Sequence, residues 1–169
     1  MTQTSAKALA LARPVIGVLT ILNVLYALSL IALLCALFLG PWPEKALGFD
    51  PAHPHRDPSL GLRTIVVIGI IGAAIVHTIL RRLLAIVDTV RAGDPFILEN
   101  ARRLGAIAWS VLALEVLRSV VASIASAMDW PKFVDGFSIA SWFAVLLLFV
   151  LSGVFAQGAR MRADLEGTV

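Results

Sequence analysis

The chain contains 169 residues, of which 59% are hydrophobic and 15% are charged. Soluble domains are about 45–50% apolar and about 25% charged, so this composition excludes an ordinary soluble protein. Stretches with almost no charge occupy 14–43, 64–80, 104–128 and 136–159, and each is near or above the roughly 17–25 residues that a helix needs to cross a membrane. The predicted fold class is therefore all-α, a polytopic membrane protein with four transmembrane helices in a bundle.

The predicted spans are about 15–39, 63–85, 104–127 and 137–157, and they form one transmembrane domain over 1–169. The first is longer than the roughly 7–15 residues of a signal-peptide core, which predicts an uncleaved span. Loop 40–62 is proline-rich, and proline disfavours a long regular helix, so we expect an irregular extracytoplasmic loop there. Loop 86–103 joins the second and third spans.

The basic residues divide unequally between the two sides of the predicted membrane domain. If all four segments span, nine of the 14 lysine and arginine residues share the side of the two termini and of loop 86–103. Because cytoplasmic segments are enriched in lysine and arginine, both termini and this loop are expected in the cytoplasm. We therefore interpret the net charge of +3 as a consequence of how the protein is oriented in the membrane, and not as a sign of direct binding to nucleic acid. The nine residues are Lys7, Arg13, Arg81, Arg82, Arg91, Arg102, Arg103, Arg160 and Arg162.

The cytoplasmic loop has the pattern of a helical hairpin. Apolar residues at helical spacing after Arg82 predict that the second helix continues beyond the membrane. Gly93 is a helix-ending residue. Asp94 and Pro95 then predict the start of the next helix, with Asp94 as the N-cap and Pro95 at the first helical position.

Two roles fit the charged and apolar side chains of this loop. Its arginines can hold anionic lipid headgroups, or the loop can form a docking face for a cytoplasmic partner. The polar C-terminal tail is expected on the same side, and both segments carry charges of both signs, so they can pair with each other or with a partner. The candidate docking residues are Asp94, Phe96, Glu99, Asn100, Arg102 and Arg103 in the loop and Asp164 and Glu166 in the tail.

Two charged residues lie within a predicted span. Counted at 1.5 Å per residue from the start of the third span, Glu115 lies about 16 Å and Arg118 about 21 Å into the membrane. A charge at that depth costs on the order of 2.5–3.5 kcal/mol, so such groups face the protein interior or each other. The i, i+3 spacing favours mutual neutralisation. Asn23, Tyr26 and His77 on the first two spans are further intramembrane polar groups, and with Glu115 they can also form a proton relay.

No motif in the chain points to catalysis or to a cofactor. A single cysteine excludes an intrachain disulfide and a thiolate metal cluster, and three scattered histidines do not make a metal signature. A phosphate-binding glycine loop, a nucleophile elbow and an HExxH motif are all missing from the sequence. We therefore expect a protein that is not an enzyme, with no catalytic residues, no metal and no cofactor.

Two motifs carry a family resemblance. The first is Gly93-Asp94-Pro95-Phe96-x-x-Glu99-Asn100-x-Arg102-Arg103-Leu104, and the second runs from Val154-Phe155 through Arg160-Met-Arg162 to Gly167-Thr168-Val169. Together they resemble the bacterial four-span membrane proteins known as domain of unknown function 2975 (DUF2975), over the whole chain. The resemblance implies a multi-pass protein of the bacterial inner (cytoplasmic) membrane, often encoded beside a small helix-turn-helix regulator of the Cro/repressor type.

Three hypotheses follow for the function. The first is a non-enzymatic membrane anchor or sensor for a cytoplasmic helix-turn-helix transcriptional regulator, bound by the loop and the tail. The second is a small transporter or proton-coupled carrier that uses Glu115 and Arg118. The third is a structural membrane subunit, in which small-residue surfaces on the spans pack against another protein or a second copy of the chain in a homo-oligomer.

Overall fold

The computed structural model describes residues 3–40, 42–46, 58–128 and 138–166, without the side chains of residues 3–10, 44, 45, 58 and 166. Over these ranges the chain is all-α. Four of its helices are long and apolar enough to cross a membrane, which confirms the predicted class and number of spans. The helices are α1 (Gln3–Leu39), α2 (Trp42–Ala46), α3 (Pro58–Arg91), α4 (Leu98–Ala127) and α5 (Ile139–Glu166).

The long helices extend beyond the predicted spans. Helix α3 contains 34 residues, which is about 51 Å at 1.5 Å per residue and exceeds a hydrocarbon core of about 30 Å. Helix α1 begins at Gln3, and α5 continues to Glu166. Loop 40–62 is also more helical than predicted, because it contains α2 and the first turn of α3. Pro58 opens α3 at a position where the missing proline N–H breaks no helical hydrogen bond.

The long helices make their principal contacts in chain order. Helix α1 packs on α3, α3 packs on α4, and α4 packs on α5. Between α1 and α3, the buried side chains of Leu37, Leu62 and Val66 form an apolar cluster. Many other large apolar side chains are exposed on the long helices, as expected for faces that meet lipid rather than water.

The turn between α3 and α4 ends α3 at Arg91, and α4 begins only at Leu98. Gly93 has φ 94°, the Gly93 amide donates to Val90 O at 3.2 Å, and the Asp94 amide donates to Thr89 O at 3.1 Å. These are the two hydrogen bonds of a Schellman C-cap. We call the end of the molecule where α3 ends and α4 begins the arginine-rich end.

The predicted start of α4 was wrong by three residues. The N-cap is Ile97, in an extended conformation and without a side-chain capping bond, and Asp94 and Pro95 precede it as irregular chain. The physical reason is that the Asp94 amide is already bonded to the end of α3, while its carboxylate contacts Arg162 of α5. The segment between Gly93 and Leu98 therefore connects helices instead of starting one.

Candidate functional site

Asn100 is the hydrogen-bonding centre of the arginine-rich end. Its side chain is 1% exposed. Its Nδ2 donates to Thr89 Oγ1 at 2.7 Å and to Pro95 O at 3.1 Å, and its Oδ1 accepts from Arg103 Nη1 at 3.1 Å. One side chain thereby ties the end of α3, the turn and the first helical turns of α4 together. Because it is buried, Asn100, one of the predicted docking residues, presents no exposed surface in this structure, and its hydrogen bonds support the turn instead.

The charged side chains around Asn100 form an exposed rim. Glu99 pairs with Arg103 at 3.5 Å and with Arg102 at 4.0 Å. The Arg102 side chain is 71% exposed, whereas that of Arg103 is 26% exposed. Arg103 therefore supports the turn, while Glu99 and Arg102 present charge to the surroundings.

The turn is joined directly to the end of α5. Arg162 Nη2 donates to Asp94 Oδ1 at 2.9 Å, and the rings of Phe96 and Phe155 lie 5.3 Å apart. A Cβ added at Gly158 would lie 3.2 Å from Phe96 Cδ1, so the small residue lets the phenylalanine approach α5 closely. The loop and the tail, which sequence alone left free to pair with each other or with a partner, contact each other in the folded chain.

An apolar groove, here called the end groove, lies between the turn and α5. It has a volume of about 540 Å³. Met161 and Leu165 on its rim are 59% and 72% exposed, although they lie beyond the long apolar run of α5. Asp164, from the predicted docking set, is exposed nearby, whereas the Glu166 side chain and residues 167–169 lie outside the described part of the chain. The groove is lined by Phe96, Val154, Gln157, Gly158, Met161, Arg162 and Leu165.

The two charged residues within α4 form an ion pair. Arg118 Nη1 lies 3.5 Å from Glu115 Oε2, and the side chains are 29% and 13% exposed. Arg118 also donates to Ser141 Oγ on α5 at 3.4 Å. The mutual neutralisation expected from the i, i+3 spacing is therefore present.

The structure places the other predicted intramembrane polar residues on α1 and α3. Asn23 Nδ2 donates to Ala73 O on α3 at 3.0 Å, so it links α1 to α3. Tyr26 lies on the same face of α1 and is 53% exposed. His77 has intermediate exposure on α3 and lies one turn beyond Ala73. No hydrogen bond within the described residues joins any of the three side chains to Glu115.

Asn23, Tyr26 and Arg118 instead line a second groove, here called the span groove, between α1, α3 and α4. Its volume is about 600 Å³, and its walls are mostly apolar. Neither Glu115 nor His77 belongs to its lining. The remaining lining residues are Leu30, Leu33, Leu62, Ile65, Val66, Ile68, Gly69, Gly72, Ala73, Val76, Leu114, Leu117, Val121 and Ala125.

Sequence reasoning missed two polar links between helices, one made by Arg82 and one made by Arg13. Arg82 Nη1 donates to Ala106 O at 3.0 Å and to Ser110 Oγ at 3.1 Å, so a residue counted only for its charge joins α3 to α4. Arg13 of α1 likewise lies 3.6 Å from Asp88 of α3. The sequence offers no signal for either pair, because their partners lie on different helices.

The described residues form two mostly apolar grooves together with hydrogen bonds and ion pairs between the helices. Among the described residues, no three histidine, cysteine, aspartate or glutamate side chains are grouped to hold a metal ion. No curated protein and no solved structure matches the chain. A family model, described as a protein of unknown function (DUF2975), matches residues 2–169. The four apolar helices and this match over nearly the whole length agree, and the chain belongs to the DUF2975 family of proteins of unknown function.

Proposed function

We propose that the protein is a non-catalytic, four-span protein of the bacterial inner membrane that anchors or signals to a cytoplasmic helix-turn-helix regulator. In this proposal both termini and the arginine-rich end face the cytoplasm, as the bias of lysine and arginine favours. The regulator docks on the end groove and on the charged rim beside it. Asn100, being buried, maintains the surface and makes no contact with the partner.

The observation that carries the proposal is the exposed apolar groove at a charged end of the molecule. Apolar side chains on the spans need no explanation, because lipid covers them. Met161 and Leu165 differ, since they follow Arg160 and lie among charged side chains. Apolar surface rimmed by charge is typical of protein interaction sites.

The contacts around the end groove support a preformed surface. The Asp94–Arg162 pair and the contact between the tilted Phe96 and Phe155 rings hold the turn against α5. Docking on a surface that is already ordered avoids much of the entropy cost of binding. The rim carries charges of both signs, with Glu99 and Arg102 exposed, so it favours a partner whose surface charges match this pattern, because charge complementarity raises association rates and favours the correct partner.

The direct test is copurification of the full chain, in detergent or nanodiscs, with a helix-turn-helix regulator of the Cro/repressor type encoded next to its gene, the neighbour that the family resemblance implies. Leu165→Glu and Met161→Glu place charge in the end groove at exposed positions, so folding is expected to survive. Wild-type protein should retain the regulator, and both variants should lose it, because a buried unpaired carboxylate opposes docking.

Leu60→Glu is the matched control. Leu60 is 68% exposed and lies in the first turn of α3, at the opposite end of that helix. This variant should retain the regulator as the wild type does. Equal recovery with all four proteins, or recovery with none, would overturn the proposal.

A second candidate, a proton-coupled carrier, is favoured by one observation. The span groove reaches Arg118, whose partner Glu115 is an acidic group deep within a span, and intramembrane acids commonly serve proton pathways. In liposomes with an entrapped pH indicator, a carrier would acidify or alkalinise the lumen, and Glu115→Gln would abolish the change. Identical traces for wild type, Glu115→Gln and empty liposomes would exclude it.

A further inference from the structure

The span groove has the shape of a ligand site rather than of a packing defect. Its volume of about 600 Å³ lies within the roughly 300–1,000 Å³ of small-molecule sites. Along α3 it extends from Leu62 to Val76, about 21 Å at 1.5 Å per residue. Helix α3 forms the floor, and α1 and α4 form the two walls. An elongated molecule fits this form better than a compact one.

Small residues give the groove its depth. Gly69, Gly72 and Ala73 lie on the floor. A Cβ added at Gly72 would lie 3.8 Å from Leu114 Cδ2, an ordinary contact distance. A small side chain at Gly72 would therefore touch Leu114 without a collision, and a larger one would take up space in the groove that Gly72 lines.

Polar groups on the two walls lie at the same level of the floor. Gly72 of α3 faces Leu114 of α4. Arg118 lies one turn after Leu114 on α4. Because α4 runs antiparallel to α3, Arg118 is level with Gly69, which lies about one turn before Gly72 on α3. The Tyr26 hydroxyl on the other wall is 3.9 Å from where a Cβ of Gly69 would lie. The mostly apolar groove thus has Tyr26 on one wall and Arg118 on the other at one level of the floor.

The chemistry at this point favours a neutral hydrogen-bond acceptor. No described residue hydrogen-bonds the Tyr26 hydroxyl, which leaves a donor directed at a mostly apolar space. Glu115 balances the charge of Arg118, so the groove carries no net charge to attract a free anion. The apolar walls exclude a sugar or a nucleotide, since burying many hydroxyl or phosphate groups without partners costs several kcal/mol.

We propose that the span groove binds one elongated lipid-like molecule, an acyl or isoprenoid chain with a carbonyl oxygen. The chain lies along the small residues of α3, and the carbonyl accepts a hydrogen bond from Tyr26 beside Arg118. This site is separate from the end groove and does not depend on docking of a regulator. If the protein is a sensor, such a molecule is the signal that it would detect.

The test uses the purified full chain in nanodiscs and a photoreactive diazirine fatty-acid methyl ester, with the matching diazirine alkane as the probe that lacks a carbonyl. Saturable labelling of groove residues by the ester, mapped by mass spectrometry, is the expected result. Gly72→Leu fills the floor and should abolish saturable labelling by both probes. Gly17→Leu is the matched control, because Gly17 has no neighbour within 4 Å of an added Cβ.

Tyr26→Phe separates a specific site from a general apolar crevice and is expected to fold, since it removes one partly exposed hydroxyl. The ester should bind about three- to tenfold more weakly to this variant, the value of one hydrogen bond, with no change for the alkane. Labelling that does not saturate, or that is equal in wild type, Gly72→Leu and Gly17→Leu, would mean bulk lipid only and would overturn the proposal. Equal ester affinity in wild type and Tyr26→Phe would overturn the assigned carbonyl contact.

Discussion

The helices are held together by different kinds of contact at the arginine-rich end and around the span groove. At the arginine-rich end, the helices are joined by side-chain hydrogen bonds and ion pairs, with Asn100 buried at the centre. Around the span groove, the helices meet through apolar side chains and small residues, and Asn23 supplies one of the few polar links. In the first region, hydrogen bonds and ion pairs fix how the helices meet, whereas in the second region the helices leave a groove between them.

The difference follows from the surroundings of each region. Near water, apolar burial is limited and charged groups are tolerated, so polar contacts can specify how the turn meets α5. Inside a bilayer, lipid is as apolar as leucine, so helices associate through close packing and a few hydrogen bonds. A gap between spans can then be filled by a lipid-like molecule, whereas a groove at a charged end suits a protein surface.

The largest expected effect is at Asn100. Asn100→Leu leaves the Pro95 carbonyl and the groups of Thr89 and Arg103 without their partner, and each unsatisfied buried group costs about 1–3 kcal/mol. We expect a loss of about 3 kcal/mol in the free energy of unfolding, measured by SDS titration in mixed micelles. The exposed neighbour Glu99→Gln should change stability by about 0.5 kcal/mol or less. Equal losses for the two variants would show that the Asn100 network does not hold this end.

The ion pair within α4 is the next largest effect. Glu115→Gln leaves the Arg118 guanidinium in the span without its carboxylate, which should cost about 2 kcal/mol, close to the lower values for an intramembrane charge. Arg118→Gln should cost a similar amount. The double variant should be more stable than the sum of the two losses implies, in a double-mutant cycle by SDS titration. Strictly additive losses would show that the two side chains do not stabilise each other.

The turn glycine tests backbone conformation alone. Gly93→Ala should destabilise the protein by about 1 kcal/mol, because φ is 94° there and a side chain disfavours left-handed backbone. Gly17→Ala is the control, since neither glycine has a neighbour within 4 Å of an added Cβ. In the middle of α1, alanine should be neutral or stabilising. Thermal unfolding in detergent measures both, and the same sign for both variants would contradict this explanation.

The smallest expected effect is at the exposed ion pair between the turn and α5. Asp94→Asn should cost about 0.5 kcal/mol at low salt, because both side chains are about half exposed and such pairs contribute little. The difference from wild type should shrink in 1 M salt, where charges are screened within about 3 Å. SDS titrations at the two salt concentrations measure it. A difference that persists unchanged would indicate that hydrogen-bond geometry, rather than charge, stabilises the contact.

Much of the fold could be predicted because the bilayer imposes simple length and polarity rules. Long uncharged stretches predicted four spans, and the helix-ending role of Gly93 was correct. The start of α4 was missed because Asp94 has the side chain of a good N-cap, yet the Schellman bond and Arg162 engage it first. The burial of Asn100 was also missed, since a polar residue between Glu99 and Arg102 gives no local sign of an inward orientation.

By itself, the sequence determined the class of protein, the number of spans and the i, i+3 spacing of two opposite charges within one of them. These properties depend on composition and on spacing along one helix, which the chain carries locally. Tertiary structure alone decided that the turn meets α5, that Asn100 is buried, and that Tyr26 and Arg118 lie across one groove. Such relations join residues far apart in the chain, and they depend on how the helices are aligned and rotated against each other.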